Sequence, residues 1–490
     1  MTFAWWSLLP FVAMLAGIAI LPLHPLTARR WERRGFQLGL ALGLGVPVAA
    51  WLVAAGEGGL VGHALVEYGQ FITLLFALFV VSGGIFLSGD IHASPRNNTA
   101  FLAFGGLIAS FVGTTGAAML LIRPLLNTNV DRRRRAHTVI FAIFIVANCG
   151  GLLTPLGDPP LFLGMLRGVP FTWTLHLLPQ WAFTNGLLLL TYYALDRRMY
   201  GQESPEAIQR DDANVVPLGL HGVVNIAFLV AIVLSVAFLP SIDLHAIRYG
   251  FGGWGAYVPW RELAMLGAAA ASYRLGDPDT RFRDNAFTWA PIAEVASLFI
   301  GIFLTMIPAL RYLAQVAPSL PLNEVTFFAF SGSLSAVLDN APTYATFFEM
   351  AGQLHGYPRV ADVPEVYLVA ISLGSVFCGA ITYIGNGPNF MVKSVAESRG
   401  IEMPSFGGYV VWSVRYLVPV LVAMMLIFIA PSPAAHLCGW AVTVLLVGRA
   451  AWVISRAVPA AHLERGSQGD GGLPAGESTE PTRFNGGRAG

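Results

Sequence analysis

Thr154-Pro155-Leu156-Gly157-Asp158-Pro159-Pro160 and Thr382-Tyr383-Ile384-Gly385-Asn386-Gly387-Pro388-Asn389 lie inside two apolar stretches of about thirty residues, 138–168 and 365–398. Proline removes a backbone donor and clashes with the preceding turn, and glycine adds freedom, so neither stretch can run as one continuous helix. Inside a bilayer, a broken helix persists only where its freed N–H and C=O groups face protein or a water-filled cavity. The two breaks are therefore predicted to line an internal polar site.

The chain around these breaks has 490 residues, 55% of them hydrophobic and only 12% charged, with a mean hydropathy of +0.62. A soluble globular domain carries about 25% charged residues, so the composition assigns this chain to the bilayer. Collagen, coiled coils and disordered chains need a period or a charge excess that is missing, and three cysteines cannot frame a secreted disulfide fold. A spanning helix takes about 20 apolar residues. Runs of roughly that length cover 4–23, 35–56, 67–89, 138–168, 177–196, 221–240, 260–273, 289–311, 365–398, 407–430 and 434–456, which predicts about eleven crossings. The first run lacks a basic leading region and a small-residue cleavage site, so it reads as a span and not as a signal peptide.

Two more apolar stretches, 99–126 and 325–350, are interrupted at their midpoints by Gly113-Thr114-Thr115-Gly116 and Asp339-Asn340-Ala341-Pro342-Thr343. Both are predicted as re-entrant hairpins. Arg29, Arg30, Arg33, Arg34, the block Arg132 to Arg135, Arg197, Arg198, Arg274, Arg281 and Arg283 all sit between apolar runs, and the positive-inside rule makes those loops cytoplasmic. If the first hairpin opens to the cytoplasm and the second to the outside, the N-terminus lies outside and the C-terminus inside. The expected location is a multi-pass position in the cell (inner) membrane.

Sliding the chain by 226 residues brings Phe101, Ala103, Phe104 and Gly106 onto Phe327, Ala329, Phe330 and Gly332. A shift of 228 brings Gly151, Thr154, Gly157, Pro160 and Phe162 onto Gly379, Thr382, Gly385, Pro388 and Phe390, and Gly84-Ile85-Phe86-Leu87 echoes Gly301-Ile302-Phe303-Leu304. Each half reads as helix, hairpin, broken helix, helix, with the two halves running in opposite directions. The expected fold class is an all-α membrane protein of about eleven transmembrane helices and two re-entrant hairpins, an inverted-topology repeat with two broken helices. The divisions are N-terminal scaffold helices 1–66, a first repeat 67–199, linker and scaffold helices 200–288, a second repeat 289–430, a last helix 431–456 and a disordered tail 457–490. Inverted repeats with discontinuous helices are a design of secondary transporters, in which half-helix ends and unwound backbone meet at the midplane.

The tip Asp339-Asn340-Ala341-Pro342-Thr343, with Gly157-Asp158-Pro159-Pro160 and Gly385-Asn386-Gly387-Pro388-Asn389 in the breaks, resembles the ion transporter superfamily over roughly residues 70–460. That group includes NhaD-type sodium/proton antiporters, citrate and dicarboxylate carriers, and arsenite carriers. The resemblance implies a transport domain of hairpins and broken helices, a scaffold domain and a homodimer.

Asp158 in one break and Asp339 at the opposing tip are ionisable groups at membrane depth, which are costly enough to suggest function. Each has a plainer reading, Asp339 as a helix cap and Asp158 as part of a turn. Asn340, Thr343, Thr114, Thr115, Thr154, Thr382, Asn386 and Asn389 offer hard oxygen ligands, although the same groups also satisfy helix termini. Gly157, Gly385 and Gly387 permit the breaks and close approach to an ion. Of 29 basic residues, Lys393 is the sole lysine and 28 are arginine. A desolvated lysine can release its proton whereas arginine effectively cannot, which makes Lys393 a proton-coupling candidate. Its spacing from Glu397 equally suits a helix-end ion pair. Asp90, Arg123 and Glu294 fall near predicted membrane edges, where snorkelling accounts for them. Cys149 and Cys378 lie near the breaks and read as buried thiols.

No close grouping of histidine ligands, nucleophile elbow or Walker lysine occurs, so neither a resident cofactor nor a metal beyond a transported alkali cation is expected. A net charge of +1 gives no footprint for nucleic acid. The expected partners are the lipid bilayer and a small ion or small organic anion. Two carboxylates beside hydroxyls and carbonyls form a negative site that favours Na+ or Li+ with H+. A citrate trianion is penalised there unless a metal accompanies it, and no arginine lies in a break or tip to clamp a carboxylate. The expected function is secondary active transport by alternating access, a sodium (or lithium)/proton antiporter, with cation- or proton-coupled citrate or dicarboxylate transport as the alternative. An intramembrane enzyme using the two aspartates is a remote third reading, since such a dyad has no need of an inverted repeat; enzyme activity is not expected.

Overall fold

The computed structural model describes residues 3–22, 26–31, 33–213, 216–242, 247 and 254–457. The tail expected to be disordered lies, from residue 458 on, outside them. The principal helices are α1 (Leu9–Ile20), α2 (Arg34–Ala54), α3 (Gly58–Ser82), α4 (Pro95–Val112), α5 (Thr114–Thr128), α6 (Ala136–Ile145), α7 (Pro159–Leu166), α8 (Leu178–Tyr200) and α9 (Val224–Phe238). They continue as α10 (Trp260–Leu275), α11 (Ala290–Val316), α12 (Glu324–Val337), α13 (Asn340–Gly352), α14 (Glu365–Cys378), α15 (Gly387–Ser398), α16 (Phe406–Tyr416), α17 (Val418–Phe428) and α18 (Pro433–Arg456). The chain is thus an all-α, multi-pass membrane protein. Among the described residues its strands are confined to two antiparallel ribbons, Phe86–Ser88 with Gly219–His221 and Arg359–Val360 with Val363–Pro364.

The breaks fall where glycine and proline put them. Gly113 separates α4 from α5 with φ 85° and ψ 145°, a conformation that a side chain at this position would strain. The second tip turns through extended Leu338 and Asp339. Between α6 and α7 the chain makes a tight turn at Cys149–Leu152, and between α14 and α15 one at Gly379–Ile381. Helix, helix pair, broken helix and helix therefore follow one another twice, as α3 to α8 and as α11 to α17, with α16 and α17 bent by 42°.

Among the described residues, length and composition make four helices individually capable of crossing a membrane, α2, α3, α11 (continued to Ser319) and α18, and a fifth if α16 and α17 are one span. The runs at 4–23 and 221–240 form, among the described residues, single apolar helices of 10–17 residues, and those at 138–168 and 365–398 are each divided by a turn, which is why a count based on hydropathy alone reaches a larger number. The run expected at 67–89 is a helix over Gly58–Ser82. Glu67 does not end it, because its carboxylate is paired with Arg167 at 2.9 Å. The echo of Gly84–Leu87 with Gly301–Leu304 does not mark equivalent places. Gly84 lies beyond the end of α3, whereas Gly301 lies within α11, where an added Cβ would come 2.7 Å from Ala41 Cα of α2.

The two halves interlock: α5 packs on α15, and α7 packs on α13, so each hairpin leans on the broken helix of the other half. The opposing layer is built from α2, α3 and α11. Phe71 of α3 joins them, stacked on Phe299 at 5.0 Å between ring centroids and lying 6.5 Å from Phe162 and 5.7 Å from Phe303. The base of the first hairpin is held by a buried polar cluster. Arg132 and His137 reach the Asp196 carboxylate at 2.6 and 2.7 Å, and Asn98 and Asn129 exchange amide hydrogen bonds across the hairpin's two ends.

Candidate functional site

Four helices begin at one place. Thr114 opens α5, Asp158 immediately precedes α7, Asn340 opens α13 and Asn386 immediately precedes α15. The Asp158 carboxylate, 1% exposed, connects them. It accepts from Thr114 Oγ1 at 3.1 Å, from Asn340 Nδ2 at 2.5 Å and from Asn386 Nδ2 at 3.4 Å. A buried carboxylate is costly unless hydrogen-bonded, and these donors come from both tips and the other break. Helix N-termini carry partial positive charge from their unsatisfied N–H groups. The site therefore combines four positive helix ends with a carboxylate already bound by its neighbours.

The backbone freed at each break is satisfied in matching ways. Thr154 Oγ1 donates to the Ser110 carbonyl, and Thr382 Oγ1 to the Ala336 carbonyl, the acceptors being equivalent under the 226-residue shift and the donors under the 228-residue shift. Asn389 Nδ2 donates to the carbonyls of Gly379 and Thr382 at 2.8 and 2.9 Å. Thr154, Thr382 and Asn389 thus hold the breaks in shape. Gly157 and Gly385 are required by close approach, since an added Cβ would lie 2.1 Å from Gly151 O in the first break and 2.6 Å from Gly379 O in the second. Gly387 has open space around its missing Cβ.

A cavity of about 240 Å³ opens beside Asp158. Gly113, Thr114, Thr115, Gly157, Asp158 and Gly387 contribute to its wall from the tip and the breaks, and Phe71, Ser82 and Asn285 from the opposing layer. Asp339 and Thr343 lie outside it. Asp339 caps α13 through Ala341 N at 3.1 Å, and Thr343 Oγ1 returns to the Asp339 carbonyl at 3.0 Å. Lys393 is likewise absent from this wall. It pairs with Glu397 at 2.7 Å and sits over the Tyr383 ring, the arrangement that its spacing from Glu397 allowed.

Three participants were not evident in the sequence. Asn148 donates to Asn389 Oδ1 at 2.7 Å and accepts from Asn386 Nδ2 at 3.1 Å, joining the two breaks. Ser110 supplies a carbonyl to Thr154 and a hydroxyl to Leu153 N. Arg123, assigned to a membrane edge, lines the cavity. Its position seven residues, about two turns, beyond Gly116 on the same face of α5 was the available signal. Among the described residues no group of three or more histidine, cysteine, aspartate or glutamate side chains could hold a metal ion.

A second cavity of about 790 Å³ lies beyond the Phe71 layer. It is lined by Glu67 and Gln70, on the earlier turns of α3, and by Arg167, Arg261, Arg311 and Glu349. The Arg167 side chain donates to Glu67 on α3 and to the Ala345 carbonyl on α13 at 3.1 Å, closing this end of the interface between the two layers.

The chain is 24% identical over 353 residues to uncharacterized transporters of Mycobacterium bovis and Mycobacterium tuberculosis, covering 67% of this chain and 78% of theirs. It is 24% identical over 329 residues to a 46 kDa membrane protein of Mycobacterium leprae, covering 63% of this chain and 71% of that protein. Residues 1–429, which include every element of the site, match the profile of the CitMHS_2 family, described as putative citrate transport, and the chain belongs to that family.

Proposed function

We propose that this protein is a secondary transporter of citrate or a related small carboxylate, coupled to a cation or to protons and working by alternating access. The observation that carries the reading is the meeting of three helix N-termini, those of α5, α7 and α15, at the wall of one cavity, with α13 joined to them behind it through Asn340 and Asp158. Converging helix ends stabilise anionic groups. The sequence argument for a negative site counted Asp158 and Asp339 as free ligands. In the fold, Asp158 already accepts from three side-chain donors and Asp339 caps a helix. The family description supports the same substrate class.

In this reading the hairpins are re-entrant, the halves form an inverted repeat, and α3 and α11 belong to a scaffold past which the tips and breaks move. A homodimer, an outside N-terminus and the absence of a resident cofactor complete the proposal. Sodium (or lithium)/proton exchange is the second reading, and Asp158 at the centre of the site is what favours it. The deciding experiment uses proteoliposomes containing the purified full chain, loaded with a pH-sensitive dye. Accumulation of radiolabelled citrate driven by an imposed ion gradient supports carboxylate transport. Dequenching on adding Na+ or Li+ with no citrate uptake assigns the protein to cation/proton exchange.

A further inference from the structure

Among the described residues, the buried and nearly buried arginines are matched to partners, and half-buried Arg123 is not. Arg132 is paired with Asp196, Arg167 with Glu67 and Arg261 with Glu262. Arg281 is fully buried without a carboxylate, but it donates to the Val80 and Ser272 carbonyls and lies against the Tyr273 and Phe287 rings. Arg123 is different. It projects from α5 into the wall of the cavity beside Asp158, half-buried, and among the described residues its hydrogen bond is to the Asp284 carbonyl alone. A guanidinium has five N–H donors, so most of this one is uncommitted.

A second arginine deepens the mismatch. Arg399, just beyond α15, lies close enough for its like charge to act on Arg123. It is held there by a 3.1 Å bond from Nη1 to Asn127 Oδ1, one turn along α5. Two arginines from different halves are thus brought together, Arg123 in the cavity wall and Arg399 at the next turn of α5, and among the described residues neither is paired with a carboxylate. Partly desolvated like charges repel, and such a pair persists where an anion supplies the missing counter-charge. The fork of a guanidinium also matches a carboxylate bidentately, which an ammonium does not.

We propose that Arg123, assisted by Arg399, recruits the carboxylate substrate into the cavity and selects for multiply charged anions. This rests on the carboxylate reading above. The approaching anion meets Arg399 at the exposed rim, exchanges water for the free N–H groups of Arg123, and then passes to the helix N-termini at Thr114 and Asp158. A cation would be repelled along the same path, so the arrangement acts as a charge filter as well as a docking point.

The test measures initial uptake of citrate, succinate and acetate by wild type, Arg123→Gln, Arg123→Lys and Arg399→Gln in proteoliposomes, with thermal unfolding confirming that each variant is folded. Arg123→Gln should raise the KM for citrate roughly ten- to a hundredfold while leaving kcat within a few fold. The rise should be smaller for succinate and smallest for acetate. Lysine should recover part of the loss, and Arg399→Gln should raise the citrate KM a few fold in low salt only. An unchanged KM, or a fall in kcat with the same ranking of the three acids, overturns the proposal and leaves Arg123 as a link to the Asp284 carbonyl. Wild type that moves none of the three acids overturns the carboxylate reading itself, so the two failures are distinct.

Discussion

At the scale of single residues, the site depends on side chains that satisfy Asp158. Asn340 is the tightest of its donors, and among the described residues its own Oδ1 is buried without a partner, so the amide is fixed by this one contact. Asn340→Ala should therefore destabilise the purified protein by about 1–3 kcal/mol, the cost of leaving a buried acceptor short of a donor. A thermal midpoint equal to that of wild type would show that water or another group replaces the amide. The glycines separate in the same way. Gly157→Ala places a Cβ 2.1 Å from a carbonyl oxygen and should cost more than about 2 kcal/mol, whereas Gly387→Ala, with open space, should leave the melting curve unchanged. For Lys393, the bond to Glu397 makes arginine an adequate replacement. Lys393→Arg should give a transport rate against pH superimposable on wild type, and a displaced profile would restore a proton-coupling role.

At the scale of elements, the contact between α3 and α7 closes the larger cavity from the smaller one. The Glu67–Arg167 pair is nearly buried, with side-chain exposures of 8% and 13%. Removing one member of such a pair leaves an uncompensated charge and costs about 3–5 kcal/mol, more than deletion of both. Glu67→Gln should accordingly lower thermal stability, and the double variant Glu67→Gln with Arg167→Gln should recover a measurable part of the loss. A double variant that melts no higher than Glu67→Gln alone would show that the ion pair does not hold the two elements. The hairpins were legible as elements because Gly113 and Asp339-Asn340-Ala341-Pro342 interrupt apolar runs at their midpoints. Their observed limbs, Pro95–Thr128 and Glu324–Gly352, extend only a few residues beyond the expected bounds. The ribbon Phe86–Ser88 with Gly219–His221 was not legible, since strands of three residues carry no periodic signal and Phe86–Ser88 reads as the end of the apolar run 67–89.

At the scale of the whole molecule, the two cavities lie on opposite sides of the Phe71, Phe162, Phe299 and Phe303 layer. The smaller is bounded by the later turns of α3 and the first turns of α11, the larger by the reverse ends of the same helices. If α3 and α11 cross the membrane, the cavities open to opposite faces. Single cysteines at Thr115 and Gln70, in a background lacking Cys149, Cys378 and Cys438, should then be modified by a membrane-impermeant thiol reagent from opposite sides of oriented vesicles. Labelling of both from one side would contradict this arrangement.

The sequence by itself determined the membrane class, the two breaks, the two hairpins and the order in which they recur, because each follows from local rules: apolar length, proline without an N–H, glycine without a Cβ. It also named most of the residues that meet at the centre, since polar groups in apolar helices stand out one by one. Only the tertiary structure decided which of them face the cavity and what charge that cavity presents. Asp339 and Asp158 look alike as letters, yet one caps its own helix and the other is shared among four helix ends. Arg123 reads as a residue at a membrane edge until α5 turns it toward Asp158 and α15 brings Arg399 beside it. Electrostatic character depends on distances between segments far apart in sequence and on the direction of helix dipoles. Neither is carried by any local pattern of residues.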